Sequence, residues 1–233
     1  MTAHKLMIAT PFDGGDLLTA TVTLGYHRFV RYLERHMSAD VLDGTALFAC
    51  DVVRARNRAA GMVLRDFPAV THVLWLDSDN FPEDDAQGAA VVQALLDSGH
   101  DVVAAPYTRK RTPTQWVHQG VTSEPDAHGF AETHSVGFGF TMTSTRALRQ
   151  LNELSFEDLV APRYWDLPHD HEVANLFGQV YASAGTRNYL ASEDYSFCKR
   201  WRDTGGKVYV LARGGLIMHA GSKAYSARDM GPR

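Results

Sequence analysis

Through residues 1–107 the chain alternates short apolar runs with stretches of helical period, and this alternation is the tightest constraint on its fold. Leu6 to Thr10 reads as a first strand, closed by Pro11 and the turn residues Asp13-Gly14-Gly15. Thr19 to His36 reads as a helix with Leu24, Tyr26, Val30 and Leu33 facing inward. Val41 to Cys50 is a weaker strand, interrupted at Asp43-Gly44, and Asp51 is placed to cap a helix that runs to Asp66 and ends before Pro68. On that helix Val52, Ala55, Ala59, Met62 and Val63 share one face, and Arg54, Asn57 and Arg58 project from another. His72 to Leu76 is a compact apolar strand, Asp84 to Ser98 a helix carrying Val91, Val92, Leu95 and Leu96, and Asp101 to Tyr107 a further buried strand. Strands that alternate with helices in this way pair in parallel through helical crossovers, so the expected class is α/β.

The second half is less regular. Residues 108–134 are polar and rich in turn formers, with a basic cluster at Arg109-Lys110-Arg111. Ser135 to Thr143 reads as one strand whose Gly137 and Gly139 allow close approach of backbone or ligand. Thr145 to Leu154 is a short helix, and residues 155–190 lack a clear period and read as a long functional loop or insert. Ser192 is placed to cap a helix from Glu193 to Thr204, ended by Gly205-Gly206. Lys207 to Leu211 and Leu216 to His219 are the last strands, and 223–233 is a polar tail. A length of 233 residues suits one large domain.

A net charge of −4 gives no bulk reason to expect a nucleic-acid coat, although a local basic patch remains compatible with it. The two cysteines, Cys50 and Cys198, lack metal or redox spacing and suit a reducing compartment. The start of the chain lacks signal-peptide features, and no apolar run approaches the roughly 20 residues that span a bilayer. The expectation is a cytoplasmic protein without a transmembrane segment, with the oligomeric state left open.

The stretch Val73-Leu74-Trp75-Leu76-Asp77-Ser78-Asp79 ends a buried strand in two carboxylates. In open α/β sheets ligands bind at that carboxyl edge. Paired carboxylates repel unless a proton or cation intervenes, and a hard divalent ion such as Mg²⁺ or Mn²⁺ takes oxygen ligands and bridges to a diphosphate. The alternative is that the acids begin a turn with Asn80. Arg54 and Asn57, three apart on a helix, share a face that either reaches a nucleotide, braces the acids or is simply solvated. Glu193 and Asp194 stand where acids complement a helix dipole, but Asp194 shares a face with Phe197, Cys198 and Trp201 and so points inward.

Six stretches in order resemble the GT-A glycosyltransferases, in particular family-2-like and Anp1-like members of bacteria and phages. They are Arg54-Ala55-Arg56-Asn57, Trp75 to Asp79, Ala104-Ala105-Pro106-Tyr107 with Lys110, Val136-Gly137-Phe138-Gly139-Phe140, Ser192 to Phe197, and Met218-His219-Ala220-Gly221-Ser222. The resemblance implies a Rossmann-like GT-A domain over 1–233, with a mixed, mostly parallel central sheet flanked by helices. Residues 1–107 would bind a nucleotide sugar and 108–222 the acceptor and catalytic groups. It implies a metal-dependent hexosyl- or pentosyltransferase that takes a UDP-sugar, with Mn²⁺ or Mg²⁺ as cofactor.

By the same resemblance Asp79 holds the metal directly, Asp77 contacts ribose or a metal-bound water, and His219 completes the metal shell. Thr10, Pro11 and Asp13 would hold base and ribose, with Ser78 beside the donor. Lys223 would meet the diphosphate and Lys110 the donor sugar or acceptor. Asp194, with Glu193 next, would supply the general base. The implied acceptor is a hydroxyl of a glycan or of a hydroxymethylated base in DNA, the latter if Arg109-Lys110-Arg111 joins Lys199, Arg200 and Arg202 in a basic strip. His169-Asp170-His171-Glu172 reads as loop polarity or acceptor contacts. The competing functions are a nucleotidyltransferase, disfavoured by the cation-free turn from Pro11 to Asp16, and a non-catalytic nucleotide-sugar-binding module.

Overall fold

The structure, a computed structural model, describes residues 4–12, 20–48, 51–110, 115–155, 175–184, 187–213, 217–220 and 224–225. Its frame is an eight-stranded sheet. In chain order the strands are β1 (Lys5–Phe12), β2 (Asp40–Phe48), β3 (His72–Leu76), β5 (Val102–Ala104), β6 (Gln119–Val121), β7 (Phe130–Ser135), β8 (Phe140–Ser144) and β11 (Val208–Leu211). They lie in the order β2-β1-β3-β8-β5-β11-β7-β6. The pairings β1–β2, β1–β3 and β5–β11 are parallel, and β8 and β7 run against their neighbours. All other strands of the sheet therefore point the same way. This is the mixed, mostly parallel sheet expected from the sequence.

Strand alternation explains why these runs are apolar on both sides. Leu6, Ile8, Leu74, Leu76 and Val103 pack with Phe29, Val30, Leu33, Val92 and Leu96, which belong to α1 (Ala20–His36) and α3 (Asp85–Asp97). Met7, Ala9, Val73, Trp75 and Val102 face the other way, onto α2 (Val52–Asp66), α4 (Thr145–Ser155) and α5 (Glu193–Asp203). A sheet covered on both faces needs apolar residues at consecutive positions, not alternate ones. Trp75 is fully buried, and its indole N–H donates to Thr143 Oγ1 at 2.9 Å, so the one polar atom of that side chain is satisfied.

Several local expectations change. Leu24 is 69% exposed, because the buried stripe of α1 is Tyr26, Phe29, Val30 and Leu33 and position 24 lies off it. Val52, at the first turn of α2, is exposed at 37%. The interruption expected at Asp43-Gly44 is a register shift opposite Ile8 and Thr10 within a continuous β2. Ser135 to Thr143 is not one strand. β7 stops at Ser135 on the far side of the sheet beside β11, and β8 starts at Phe140 between β3 and β5, so 136–139 cross between them. The strand expected over 101–107 is regular only over Val102–Ala104. The 155–190 stretch holds a hairpin, β9 (Tyr181–Ala184) with β10 (Arg187–Leu190); its residues 156–174, including His169 to Glu172, lie outside the described residues.

A second sheet, β13 (Ala224–Tyr225)-β12 (Ile217–Ala220)-β4 (Asn80–Pro82), closes the carboxyl edge beside the acids. β4 follows Asp79 directly and had no counterpart in the sequence reading. Its antiparallel pairing sets His219 opposite Asn80. Among the described residues no helix is long and apolar enough to cross a membrane.

Candidate functional site

The acids lie where β3 runs out. Asp77 N–H donates to Gly139 O at 3.1 Å and Asn80 N–H to Asp77 O at 2.9 Å, so the backbone turns through Asp77-Ser78-Asp79 at the mouth of the sheet. Ala220 N–H donates to Asp79 O at 2.7 Å, which fastens β12 to the same turn.

Arg56, which the sequence reading left without a role, organises the acids. It is 2% exposed, and its Nη2 meets Asp77 Oδ1 at 2.9 Å while Nη1 meets Glu193 Oε1 at 2.8 Å. One planar fork thus joins the end of β3 to the start of α5. Phe138 and Phe177 lie against the guanidinium, at 5.6 and 5.9 Å from its carbon. Burial, the largest influence, works against the charge, yet Asp77, Glu193, Asp194 and Tyr107 together raise Arg56 above its ordinary value. Glu193 is also raised, by burial first, with Arg56 opposing and Asp194 adding.

Asp79, as exposed as Asp77, meets a different set of partners. Its Oδ2 pairs with Lys110 Nζ, and its Oδ1 accepts from Asn80 Nδ2 at 3.0 Å. His219 Nε2 faces the same Oδ1 at 3.7 Å. His219 Nδ1 lies 2.7 Å from Thr108 O, and since a carbonyl only accepts, Nδ1 carries the proton and the neutral ring turns a lone pair from Nε2 toward Asp79. Burial holds His219 below its ordinary value, against the pull of Asp79.

That is the donor chemistry of a divalent-cation ligand pair, an oxygen and an imidazole nitrogen fixed from behind. Two polar atoms beside it, Asn80 Oδ1 and Thr108 Oγ1, are buried without a hydrogen-bond partner, as befits a site built for a ligand. Among the described residues no cluster of three His, Cys, Asp or Glu side chains stands ready as a metal cage. The residues present fit a metal that completes its shell with ligand oxygens.

Tyr107 forms the floor. Its hydroxyl accepts from Gly139 N–H at 3.0 Å, and its ring stands edge-on to His219 at 5.3 Å. Burial, then Asp77 and Asp194, push its hydroxyl well above the usual tyrosine range. A Cβ on Gly139 would sit 2.6 Å from Asn80 Nδ2 and 2.7 Å from Tyr107 Oη, and one on Gly137 would sit 2.4 Å from Tyr107 Oη. The glycines of the Val136 to Phe140 stretch thus leave room for the floor of the site.

Asp194 Oδ1 accepts from Ser192 Oγ and from Tyr195 N–H, the latter at 2.8 Å. Ser192 occupies the cap position of α5, but its hydroxyl serves Asp194 and not the helix, unlike Asp51 and Asp84, which cap α2 and α3 through Arg54 N–H and Gln87 N–H. Tyr195 Oη donates to Val117 O at 3.1 Å and takes Arg109 Nη2 at 3.3 Å.

The other expected residues divide. Ser78 and Pro11 are half-buried at the sheet mouth, and Arg54 is half-buried in the first turn of α2. Thr10 is buried, its hydroxyl 2.6 Å from Tyr26 Oη, so that side chain is engaged inside the protein. Asn57 is turned inward: its Nδ2 donates to Asn175 Oδ1 at 2.7 Å and its Oδ1 accepts from Phe177 N–H at 3.1 Å. It fixes the segment that places Phe177 under Arg56. Asp13 and Lys223 lie outside the described residues. Four of the six cations named for a basic strip have separate partners: Lys110 on Asp79, Arg109 on Tyr195, Lys199 on Asp203, and Arg200 on the carbonyls of Leu176 and Gly178; Arg111 lies outside the described residues.

No protein-family profile and no curated protein sequence matches the chain. Among solved structures it is similar to A197 from STIV, at 18% identity and a TM-score of 0.51, over 93% of this chain and 85% of that one. A weaker likeness, with a TM-score of 0.45 and 16% identity, covers 90% of this chain and 65% of a Drosophila β1,4-galactosyltransferase 7 mutant in complex with manganese, UDP-Gal and xylobiose. The likeness to A197 concerns the fold, a mixed α/β sheet flanked by helices.

Proposed function

We propose that the chain is a metal-dependent glycosyltransferase that moves a sugar from a nucleotide diphosphate sugar, UDP-linked in our reading, to a hydroxyl of an acceptor. The observation that carries this is the convergence of Asp79 and His219 Nε2 at the mouth of the sheet, next to the Asp77–Arg56–Glu193 clamp. Asp79 and His219 would hold Mn²⁺ or Mg²⁺. The cation's contribution, once bound, is to neutralise charge that develops on the leaving diphosphate.

The chain's own groups do the rest. Asp77, its carboxylate fixed by Arg56, is placed to meet the donor, with Ser78, Pro11 and the backbone at Thr10 beside it. Arg54, Asp13 and Lys223 are proposed donor contacts, whereas the carboxamide of Asn57 supports the site from within. Glu193 is bound to Arg56, while the hydrogen bonds of Asp194 from Ser192 Oγ and Tyr195 N–H fall on Oδ1, and Oδ2 is the oxygen assigned in this reading to the ligand. Asp194 is therefore the proposed general base that takes the acceptor proton, and Glu193 orients it through the shared helix turn. The proposed acceptor is a glycan hydroxyl. The alternative acceptor is a hydroxymethylated base in DNA, which would call on cations of which Lys110, Arg109, Lys199 and Arg200 have protein partners here.

The test is release of UDP from UDP-sugars with Mn²⁺, with and without sugar acceptors. Asp194→Asn is expected to lower turnover about 10²- to 10⁴-fold while UDP affinity stays near wild type. Asp79→Ala is expected to abolish metal-dependent release. Binding of UDP and Mn²⁺ without any turnover across a broad acceptor panel would identify a non-catalytic module instead.

A further inference from the structure

The two acids of Asp77-Ser78-Asp79 are neutralised by cations of opposite kinds. Asp77 meets Arg56, which is 2% exposed, held at both ends by carboxylates and flanked by two aromatic rings. That guanidinium cannot leave without stranding two acids. Asp79 meets Lys110, whose side chain is 35% exposed and whose ammonium is a point charge on a flexible stem. The other oxygen of the same carboxylate faces His219 Nε2. The permanent cation thus serves the acid that braces the site, and the detachable one covers the acid assigned to the metal.

We propose that Lys110 is a removable counter-ion: it neutralises Asp79 in the metal-free protein, competes with the divalent cation for that carboxylate, and on metal binding is released to meet the donor diphosphate. The inference rests on the metal reading given above. It explains how carboxylate charge at this edge is balanced when no metal is bound, and it gives one lysine opposite effects on two ligands. Removing it relieves competition for the metal but withdraws a positive charge from the nucleotide.

The experiment measures Mn²⁺ alone, through the spin-resonance signal of the free aqueous ion, on wild type, Lys110→Met, Lys110→Arg and Asp79→Ala. An exposed pair is worth up to about 1 kcal/mol, so Lys110→Met is expected to bind Mn²⁺ about fivefold more tightly than wild type. Lys110→Arg, which keeps the charge, should stay near wild type, and Asp79→Ala should lose the site. UDP titrated at saturating Mn²⁺ should then bind Lys110→Met more weakly than wild type. Mn²⁺ affinity in Lys110→Met that equals or falls below wild type overturns the proposal while leaving the metal site standing. Absence of Mn²⁺ binding in wild type removes the metal reading and this inference together. Tighter Mn²⁺ with unchanged UDP overturns the donor half alone.

Discussion

A single arginine at position 56 sets the geometry between Asp77 and the start of α5. Removing it leaves Asp77 and Glu193, 28% and 19% exposed, without their common counter-charge. Breaking a fully buried pair costs about 3–5 kcal/mol, and partial access to water brings the expected cost of Arg56→Met to about 2–3 kcal/mol at pH 7. Glu193 already sits above its ordinary value, and loss of Arg56 raises it further. A raised carboxyl stabilises the fold below its unfolded value and loses that contribution as pH rises through the folded one. The penalty should therefore shrink on acidification toward pH 4.5, which urea denaturation at two pH values would show. Arg56→Lys should not restore the site, because one ammonium cannot reproduce the fork. The role was legible in principle: 56, 59, 60 and 63 fall on one helical stripe, and Arg56 is the charged member of an otherwise buried apolar face. Gly139 is the second such residue. Gly139→Ala forces a methyl against Asn80 and Tyr107, and a misplacement of this size at a catalytic site costs on the order of 100-fold in rate. Turnover should fall by that factor while far-ultraviolet circular dichroism stays unchanged; near-wild-type turnover would show that the floor is not needed.

At the scale of elements, apolar period carried most of the information. β1, β3, α2, α3 and α5 lie within a residue or two of their expected places, because each combines a buried run with a cap or breaker: Asp51 and Asp84 before helices, Gly205 at positive φ after one. What failed was the crossing at 136–139, where buried Val136 and Phe138 gave an unbroken apolar signal although the chain passes from one strand to another. Periodicity reports burial and cannot report which neighbour a strand pairs with. β4 was missed for a related reason, since three residues are too few for a period. β3 also carries a pH-sensitive element. Burial first, then the nearby His4, depress His72 at its start from 6.5 to about 4. A depressed histidine is kept neutral in the fold, so its contribution is present above pH 6.5 and lost as pH falls toward 4. The linkage amounts to at most about 3 kcal/mol. Stability should fall between pH 6.5 and 4, and His72→Phe should flatten that slope; an identical slope in the variant would assign the acid sensitivity to other groups.

For the whole molecule, the site is an edge property assembled from distant segments: the end of β3, β12, residues 107–110 and the first turn of α5. The sequence displayed each piece, including the two acidic pairs, and the resemblance to known motifs supplied their order, their expected roles and His219. Their convergence follows from two features without local signature. One is the pairing of β12 with β4, which sets His219 opposite Asn80. The other is the long reach of Arg56. A ligand that touches all these segments binds only the folded chain and ties its distant parts together. Under saturation near 100 times its dissociation constant it adds about 2.7 kcal/mol to stability, which for a chain of this size raises the melting temperature by about 5–10 °C. The expected pattern is a shift of that order for UDP with Mn²⁺, a smaller one for UDP alone, and none from Mn²⁺ in Asp79→Ala. Parallel scans with ADP and GDP would name the base. A melting temperature indifferent to every nucleoside diphosphate, with and without metal, would mean that the edge does not grip a pyrophosphate, and the transferase reading would fall while the fold stood.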